Sequence, residues 1–379
     1  MQRSSEIRGL AKRWIIHELP NAVHKELAIG LPEWDGRLDC WRVALIHENS
    51  SQKLLGEIQV DCSGKISREP SPSMVLERLN IAVAQQKPVH KRKRGSRISF
   101  PPIANKVILG DCRTVLAEFM PDSIQLVFTS PPYFNAKPEY TEYIDYRSYL
   151  AVLREAFEAC HNILAEGRFL VVNVSPVLVR RTSRKTASKR LPIPFDLHPL
   201  LEDIGFEFID DIIWRKPEGA GWHIGRGRRF AADRQPLQYK PVTVTEYVLV
   251  YRKRTDRLID WNLRNHPDQD GLARSLILGE YDKTNVWDIT PSYRKDHPAI
   301  FPDELVRRVI RYYSFQGDVV LDPFAGSGTV GRVAAEMSRN FVLVEKRGDY
   351  FETMRRELAN SLFVSQVDFD DLQYLWTSE

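Results

Sequence analysis

The stretch VVLDPFAGSGTVG at residues 319–331 carries the strongest fold signal in this chain. Its opening residues are apolar up to Asp322, which is typical of a short buried strand, and the glycine-rich part leads into a predicted helix. Gly326, Gly328 and Gly331 match the G-x-G-x-x-G spacing, in which glycine lets the backbone turn tightly and approach a ligand closely. The order strand, glycine-rich turn, helix indicates one unit of an α/β sheet that binds a cofactor.

An acidic residue, Glu345, ends the next predicted strand, which begins at Phe341. A carboxylate in this place can accept hydrogen bonds from two ribose hydroxyls, so the pattern predicts an adenosine-containing cofactor. The alternative is a glycine-rich turn that only packs a helix on a strand. A phosphate-binding P-loop is excluded because no Gly-Lys-Ser/Thr follows the glycines.

The position of the glycine loop predicts a circularly permuted sheet. Only one strand follows the loop, and one strand cannot complete an open sheet, so the missing strands must lie upstream. Strands and helices alternate after residue 106, which favours a mostly parallel, Rossmann-like sheet with helices on both faces. Seven strands are predicted, at Lys106–Gly110, Ile124–Thr129, Phe169–Val174, Phe206–Trp214, Val244–Tyr251, Val319–Leu321 and Phe341–Glu345.

A second motif, Ser130-Pro131-Pro132-Tyr133, follows the strand Ile124–Thr129. Ligands bind at the carboxyl ends of strands in open α/β sheets, so we expect these residues to face a substrate. The prolines remove two N–H donors, which leaves the Pro131 carbonyl and the Ser130 hydroxyl as outward acceptors. Tyr133 or Phe134 offers an aromatic face on which a base can stack. A Pro-Pro turn with a buried tyrosine is the alternative.

This combination suits methyl transfer to an exocyclic amine. The lone pair of such an amine is delocalised into the ring, which makes the nitrogen a poor nucleophile. Acceptors on both N–H bonds would draw the nitrogen toward tetrahedral geometry and localise the lone pair. Direct transfer from a methyl sulfonium then needs no covalent enzyme intermediate, in keeping with the lack of a cysteine-centred motif.

Taken together, TSPPYF at 129–134 and DPFAGSGT at 322–329 resemble the β class of S-adenosylmethionine-dependent DNA amino-methyltransferases, in which the catalytic motif precedes the cofactor motif. Further segments, spread over residues 106–362, resemble family elements. These segments are Leu109–Cys112, Ile213–Pro217, Thr245–Val248 and His297–Pro302. Thr329-Val330 departs from the usual Thr-Thr, and the asparagine and proline that often follow Pro217 are missing.

The resemblance implies S-adenosylmethionine as cofactor and double-stranded DNA as substrate. It implies Ser130, Pro131, Pro132 and Tyr133 as catalytic residues. In the family, Ser-Pro-Pro-Tyr goes mostly with N4 of cytosine and Asp/Asn-Pro-Pro-Tyr/Phe with N6 of adenine. N4-cytosine is therefore predicted here, with N6-adenine as the alternative. The implied cofactor-binding residues are Asp111, Thr129, His297, Phe301, Asp322, Phe324, Gly326, Ser327, Gly328, Thr329 and Glu345.

Basic segments on the carboxyl side of the predicted sheet are expected to hold DNA while the target base is extruded from the duplex. Either segment could instead be a solvated loop, and the arginines of the second could contact guanine or phosphate. The region 218–296 is expected to include target recognition. The predicted DNA-binding residues are Arg180, Arg181, Arg184 and Lys185 in one segment and Arg226, Arg228 and Arg229 in the other.

The remaining features concern domains and location. KPVHKRKRGSR at residues 87–97 carries six basic side chains, which predicts a linker at 87–105 between an N-terminal domain (1–86) and a methyltransferase domain (106–362), followed by a C-terminal tail (363–379). The KRKR run fits a DNA contact and a solubilising linker equally well. The four cysteines lack metal-ligand spacing, so no metal site is predicted.

No run of eighteen apolar residues and no apolar signal segment is found, so we expect a cytoplasmic protein that does not cross a membrane. A restriction endonuclease is an expected partner, whereas the oligomeric state is left open. A catalytically inactive DNA-binding module and a dehydrogenase are the other classes considered. The intact Ser130–Tyr133 motif argues against both, and the permuted order also argues against the dehydrogenase.

Overall fold

The structure is a computed structural model that describes residues 4–48, 50–84, 105–134, 145–179, 189–218, 236–237, 241, 243–292, 302–359 and 366–371. The chain divides into two compact units, residues 1–95 and 96–379, which are described separately. No helix in these ranges is long and apolar enough to cross a membrane.

The first unit is an antiparallel sheet with two helices. Buried residues alternate along the two long strands. Their side chains pack with those of both helices into one core. The elements are α1 (Ser4–Glu18), β1 (Leu27–Ile29), β2 (Glu33–Asp35), β3 (Cys40–His47), β4 (Ser50–Asp61), β5 (Ile66–Arg68) and α2 (Pro72–Ala84).

The second unit contains a mostly parallel sheet, with the strand order β13-β11-β12-β8-β7-β14-β15-β6-β16. Its strands are β6 (Lys106–Leu109), β7 (Ile124–Thr129), β8 (Leu164–Val174), β11 (Phe206–Arg215), β12 (Thr245–Lys253), β13 (Val286–Asp288), β14 (Val319–Asp322), β15 (Asn340–Glu345) and β16 (Asp368–Asp371). A separate hairpin pairs β9 (Val177–Val179) with β10 (Lys189–Leu191).

The sheet confirms the permuted α/β fold and corrects the number of strands. All seven predicted strands are present, and upstream strands complete the sheet on both sides of β14. The sheet has nine strands because β13 and β16 add to its two edges. These strands have three and four residues, and Asp-Phe-Asp-Asp in β16 lacks an apolar run. These two edge strands form by backbone hydrogen bonding to the neighbouring strand. Their amino-acid composition therefore does not predict them.

Helices cover both faces of this sheet. The core on one face includes α3 (Cys112–Val115), α4 (Tyr146–Ile163) and α5 (Ile193–Ile204), whereas α8 (Asp303–Tyr313), α9 (Thr329–Glu336) and α10 (Gly348–Ala359) contribute to the core on the other. Two short helices, α6 (Ile259–Arg264) and α7 (Gln269–Arg274), follow β12. Strands buried on both faces explain why the predicted strands read as continuous apolar runs.

The parallel strands β7, β14 and β15 lie side by side at the centre of the sheet. Leu321 of β14 pairs with Val127 of β7 and with Val342 of β15. The segments that follow these three strands therefore meet at one edge of the sheet. This arrangement brings the catalytic motif, the glycine loop and Glu345 together.

Candidate active site

One hydrogen bond joins the catalytic strand to the glycine loop. Thr129, the last residue of β7, donates from Oγ1 to Oδ1 of Asp322, the last residue of β14, at 2.7 Å. The same carboxylate oxygen accepts a bond from the backbone N–H of Phe324 at 3.1 Å. Both Thr129 and Asp322 are buried. The two motifs predicted from sequence are therefore parts of one site.

Burial also changes the acidity of Asp322. Desolvation of the carboxylate raises its pKa to about 7, and the nearby negative charge of Glu345 acts in the same direction. The hydrogen bonds from Thr129 and Phe324 oppose this rise. Asp322 consequently changes its charge near neutral pH, directly beside both motifs.

Glu345 organises the glycine loop from the neighbouring strand. Its Oε2 accepts the backbone N–H of Gly326 at 2.7 Å, and its Oε1 accepts that of Arg347 at 2.9 Å. A carboxylate has about four lone-pair directions, so it can accept a ligand hydroxyl in addition to backbone N–H groups. Burial raises the pKa of Glu345, although the backbone N–H groups favour its charged form. Glu345 thus holds the loop in place and keeps acceptor capacity.

The three glycines of the motif have different physical roles. Gly326 has a φ of +53°, and no heavy atom lies within 4 Å of the position a Cβ would take. A Cβ on Gly328 would lie 2.8 Å from Cγ of Met354, and one on Gly331 would lie 2.6 Å from Cδ1 of Leu343. Gly326 therefore borders open space beside Glu345, whereas the other two permit close packing. An open backbone turn between buried carboxylates fits an adenosine-containing cofactor.

Asp111 lies on the far side of Glu345 from the catalytic strand. The backbone N–H of Gly110 donates to the Glu345 carbonyl oxygen at 2.9 Å, which places the next residue beside the cofactor strand. Asp111 caps α3 by accepting the N–H of Arg113, and its carboxylate is paired with the Arg113 guanidinium at 2.8 Å. These bonds to Arg113 lower the pKa of Asp111. The carboxylate therefore remains ionised at this end of the site.

Of the other predicted site residues, some lie beside the glycine loop and the rest lie outside the described residues. Phe324 packs against the core on the α4 face, and the hydroxyls of Ser327 and Thr329 are 3.4 Å apart at the start of α9. Several predicted residues lie outside the described ranges, namely His297, Phe301, Arg180, Arg181, Arg184, Lys185, Arg226, Arg228 and Arg229, together with the KRKR run.

The Tyr133 hydroxyl is held by a polar cluster that the sequence analysis did not assign to the site. It donates to Oε2 of Glu246 at 3.0 Å, and Nδ2 of Asn173 donates to the same oxygen at 2.7 Å. Lys216 forms an ion pair with the other carboxylate oxygen of Glu246. We call these four residues the Glu246 cluster. Burial and the Glu246 carboxylate raise the pKa of Tyr133 far above its ordinary value, so its hydroxyl stays protonated.

Two of these residues come from segments that resemble family elements, Lys216 from Ile213–Pro217 and Glu246 from Thr245–Val248. Those segments indicated family membership but not a role. Antiparallel pairing places Glu246 opposite Trp214, two residues before Lys216. The sequence signal that could have revealed this ion pair is the opposite charge of Lys216 and Glu246, which lie near the ends of two predicted strands.

The side chain of Phe134, unlike that of Tyr133, packs against two tyrosines of α4. Its ring centroid lies 5.7 Å from that of Tyr146 and 5.6 Å from that of Tyr149, both on α4. Tyr146 in turn donates to Asp196 of α5 at 2.7 Å. Phe134 therefore anchors the catalytic loop to the helices, which leaves Tyr133 as the better candidate for contact with a base.

The buried cysteines of this unit are poor nucleophiles. Cys112 follows Asp111 directly, and burial raises the pKa of its thiol to about 12. Cys160 is fully buried on α4, and burial likewise raises the pKa of its thiol. Because the thiolate is the reactive form, neither residue is suited to attack a base.

Comparison with known proteins defines the class to which this site belongs. A family model described as DNA methylase, of the N6/N4 type, matches residues 124–356, more than half of the chain. The chain belongs to this family of DNA methyltransferases. Its cofactor is S-adenosylmethionine, in agreement with the glycine loop and its two buried carboxylates.

Individual relatives are distant in sequence, and each match covers about two thirds of this chain. The chain is 26% identical over 269 residues to Type II methyltransferase M.XycI of Xanthomonas campestris, covering 64% of this chain and 83% of that protein. It is 27% identical over 282 residues to Type II methyltransferase M.MjaI of Methanocaldococcus jannaschii, covering 63% and 86%. Among solved structures, a putative DNA modification methylase of Thermus thermophilus is 29% identical, with a TM-score of 0.52, covering 70% of this chain and 99% of that one.

Proposed function

We propose that this enzyme methylates N4 of a cytosine that is extruded from double-stranded DNA. The observation that carries the proposal is the Thr129–Asp322 hydrogen bond, which joins the Ser130–Tyr133 motif to the cofactor loop. The base-binding and cofactor-binding residues are thereby adjacent, as direct methyl transfer requires. Serine at the first position of the motif supports cytosine as the target.

The chain's own residues activate the amine by accepting its N–H bonds. The Ser130 hydroxyl and the Pro131 carbonyl are the acceptors in the motif, and they localise the nitrogen lone pair. S-adenosylmethionine held by the glycine loop and Glu345 would supply an electrophilic methyl group, its sulfur leaving as a neutral thioether, and the methylated amine would release one proton to solvent. The protonated Tyr133 hydroxyl, anchored on Glu246, holds the ring against which the base stacks.

Nucleoside mass spectrometry on DNA methylated by the purified enzyme tests the proposal. We expect N4-methylcytosine as the product. N6-methyladenine as the sole product would show that adenine is the target base, and the proposed activation of an amine would still hold. 5-Methylcytosine would overturn the mechanism, because methylation of carbon requires a thiolate adduct, and burial keeps the Cys112 and Cys160 thiols protonated.

We further propose that the enzyme modifies a specific site as part of a restriction–modification system with a cognate endonuclease. Type II methyltransferases among the similar proteins support this proposal. Testing it requires methylated DNA to be sequenced for modified bases. Modification confined to one short sequence is expected, whereas modification spread over unrelated sequences would contradict site-specific methylation.

The basic segment at 180–190 is proposed to bind the DNA backbone. Neutralising Arg180, Arg181, Arg184 and Lys185 together should weaken binding to all DNA sequences alike, because bonds to phosphate carry no sequence information. The dependence of log K on log salt concentration should become shallower by about 0.9 for each phosphate that is no longer neutralised. Binding titrations at several salt concentrations measure this slope, and an unchanged slope would show that the segment does not contact DNA.

A further inference from the structure

An unsatisfied acceptor lies beside the catalytic motif. Asn173 is 2% exposed, and its Oδ1 has no hydrogen-bond partner among the described residues. A buried polar atom without a partner is costly, because it has lost its hydrogen bonds to water, so such atoms are usually paired in the working state of a protein. The Asn173 oxygen therefore points to a donor that a ligand supplies.

The sheet register places this residue next to Ser130. Strands β7 and β8 are parallel, with Thr129 opposite Val172. Ser130 and Asn173 follow these two residues, so they occupy neighbouring positions at the carboxyl ends of adjacent strands, about 5 Å apart in strand spacing. Asn173 thus lies beside the first residue of the motif, where the target amine is proposed to bind.

Glu246 determines which atom of the Asn173 amide remains available. Nδ2 of Asn173 donates to Oε2 of Glu246 at 2.7 Å. If the amide were rotated by half a turn, its oxygen would face a carboxylate oxygen with no proton between them. The ion pair with Lys216 holds Glu246 in this place. Oδ1 is therefore the atom that the cluster leaves without a partner.

We propose that Oδ1 of Asn173 is a further acceptor for the target amine, sharing one of its two N–H bonds with the Ser130 hydroxyl, and that Glu246 is the positioning residue that keeps this oxygen available. The inference rests on the proposed methyl transfer to an amine. Asn173 remains neutral and takes up no proton, so its effect is to orient the amine and localise its lone pair. Glu246 contacts the target only through Asn173 and Tyr133.

Single-turnover methylation of DNA by the full chain tests the first part. Asn173→Leu keeps the approximate size of the side chain and removes the acceptor. We expect the transfer rate to fall about 10- to 100-fold, the range for loss of one hydrogen bond in the transition state. Cofactor affinity by calorimetry should stay within about twofold, since the hydrogen bond is made to the base.

The matched control is Asn262→Leu. Asn262 is also buried, but its Nδ2 donates to the Gly167 carbonyl oxygen at 3.3 Å, within the turn that precedes Phe169. This variant should have a lower melting temperature and the parent's transfer rate. A rate in Asn173→Leu within about twofold of the parent would overturn the proposal. Loss of cofactor affinity in Asn173→Leu would also overturn it, because Asn173 would then belong to the cofactor site.

A pair of variants tests the role of Glu246 by reversing the polarity of its hydrogen bond. In Asn173→Asp, two carboxylates face each other, and their repulsion should displace the acceptor and slow transfer at pH 8. In Asn173→Asp with Glu246→Gln, the glutamine amide can donate to Asp at 173, and an oxygen again faces the target. We expect this double variant to transfer faster than Asn173→Asp at pH 8.

Equal rates for the single and double variants at pH 8 would refute the positioning role of Glu246. A merely structural role would not produce such a rescue, because both changes remove native hydrogen bonds. A parent enzyme that transfers no methyl group to any DNA amine would instead refute the proposed function. The two failures are therefore distinguishable.

Discussion

At the scale of single residues, Thr129 and Asp322 show how two short motifs form one site. They are 193 positions apart in the chain, yet their side chains are joined by a 2.7 Å hydrogen bond between the ends of neighbouring strands. Ser130 follows the first of these residues, and the glycine loop follows the second. A displacement of either strand would therefore separate the amine from the methyl group.

Replacing Ser130 by alanine should lower turnover far more than affinity for DNA or cofactor. Its acceptor matters most in the transition state, where the amine nitrogen changes geometry. The expected loss is about 10- to 100-fold in single-turnover rate, which corresponds to about one hydrogen bond. Tyr133→Phe is the companion variant, because it keeps the aromatic ring and the Ser130 hydroxyl but removes the hydrogen bonds of the Tyr133 hydroxyl to Glu246 and Ser130. A Ser130→Ala rate equal to the parent's would mean that other groups activate the amine.

Asp322 should make the free energy of unfolding depend on pH. Its pKa is about 7 in the folded chain against an ordinary 3.8, so folding favours the protonated carboxyl. The stabilisation is fully present below about pH 4 and is lost as the pH rises through about 7. Asn at this position keeps an acceptor for Thr129 and is uncharged at every pH. Asp322→Asn should therefore gain stability relative to the parent between pH 5 and 8, by about 1–3 kcal/mol.

Thermal unfolding of both chains in matched buffers measures this difference. Titrating groups that do not interact with Asp322 contribute equally to the two chains and cancel, so the difference reports Asp322 together with its coupling to Glu345. Melting curves that shift in parallel with pH would show that the carboxyl does not titrate in this range.

At the scale of elements, the glycine loop and α9 are held by close packing on β15. Gly331 of α9 approaches Leu343 so closely that a Cβ would lie 2.6 Å from Cδ1. The preceding turn of the loop is fastened by Glu345, the last residue of the same strand. One strand therefore positions both the loop and the helix that follows it.

Gly331→Val should destabilise the chain by about 1–3 kcal/mol, the usual effect of overpacking a core. Leu343→Ala should partly restore stability in the double variant, because it removes the clashing methyl groups. Gly326→Ala is the contrasting change, since its Cβ would enter open space. It should weaken cofactor binding with a smaller loss of stability, due to its positive φ. Chemical unfolding and cofactor titration test the set; additive effects of Gly331→Val and Leu343→Ala would contradict this packing.

At the scale of the whole molecule, the catalytic machinery lies in the second of two compact units. Every described residue of the site is at or beyond Asp111, and the first unit has its own core. Deleting residues 1–95 should leave a folded chain that binds S-adenosylmethionine with the parent's affinity. We expect altered affinity or specificity for DNA.

Calorimetry with the cofactor and circular dichroism of the truncated chain measure this outcome. The full-length chain in the same buffer is the control. A truncated chain that is insoluble or fails to unfold cooperatively would make the first unit part of the catalytic fold.

The class of fold, the permuted order and the identity of both motifs follow from the amino-acid sequence alone. Buried strands appear as apolar runs, and the conformational freedom of glycine and the rigidity of proline are properties of the residues themselves. Seven strands and the residues Ser130, Asp322 and Glu345 could therefore be predicted, because their signals are local.

The residues that surround the motifs became apparent only in the folded chain. β13 and β16 form by edge pairing, which leaves no pattern in their composition. At Gly328, which is predicted to bind the cofactor, the space that a Cβ would take is filled by Met354 of α10. Asn173, Lys216 and Glu246 meet at Tyr133 because β8 and β11 end, and the antiparallel β12 begins, at one edge of the sheet. Contacts between residues far apart in the chain depend on strand order and register, and no local pattern of side chains specifies these.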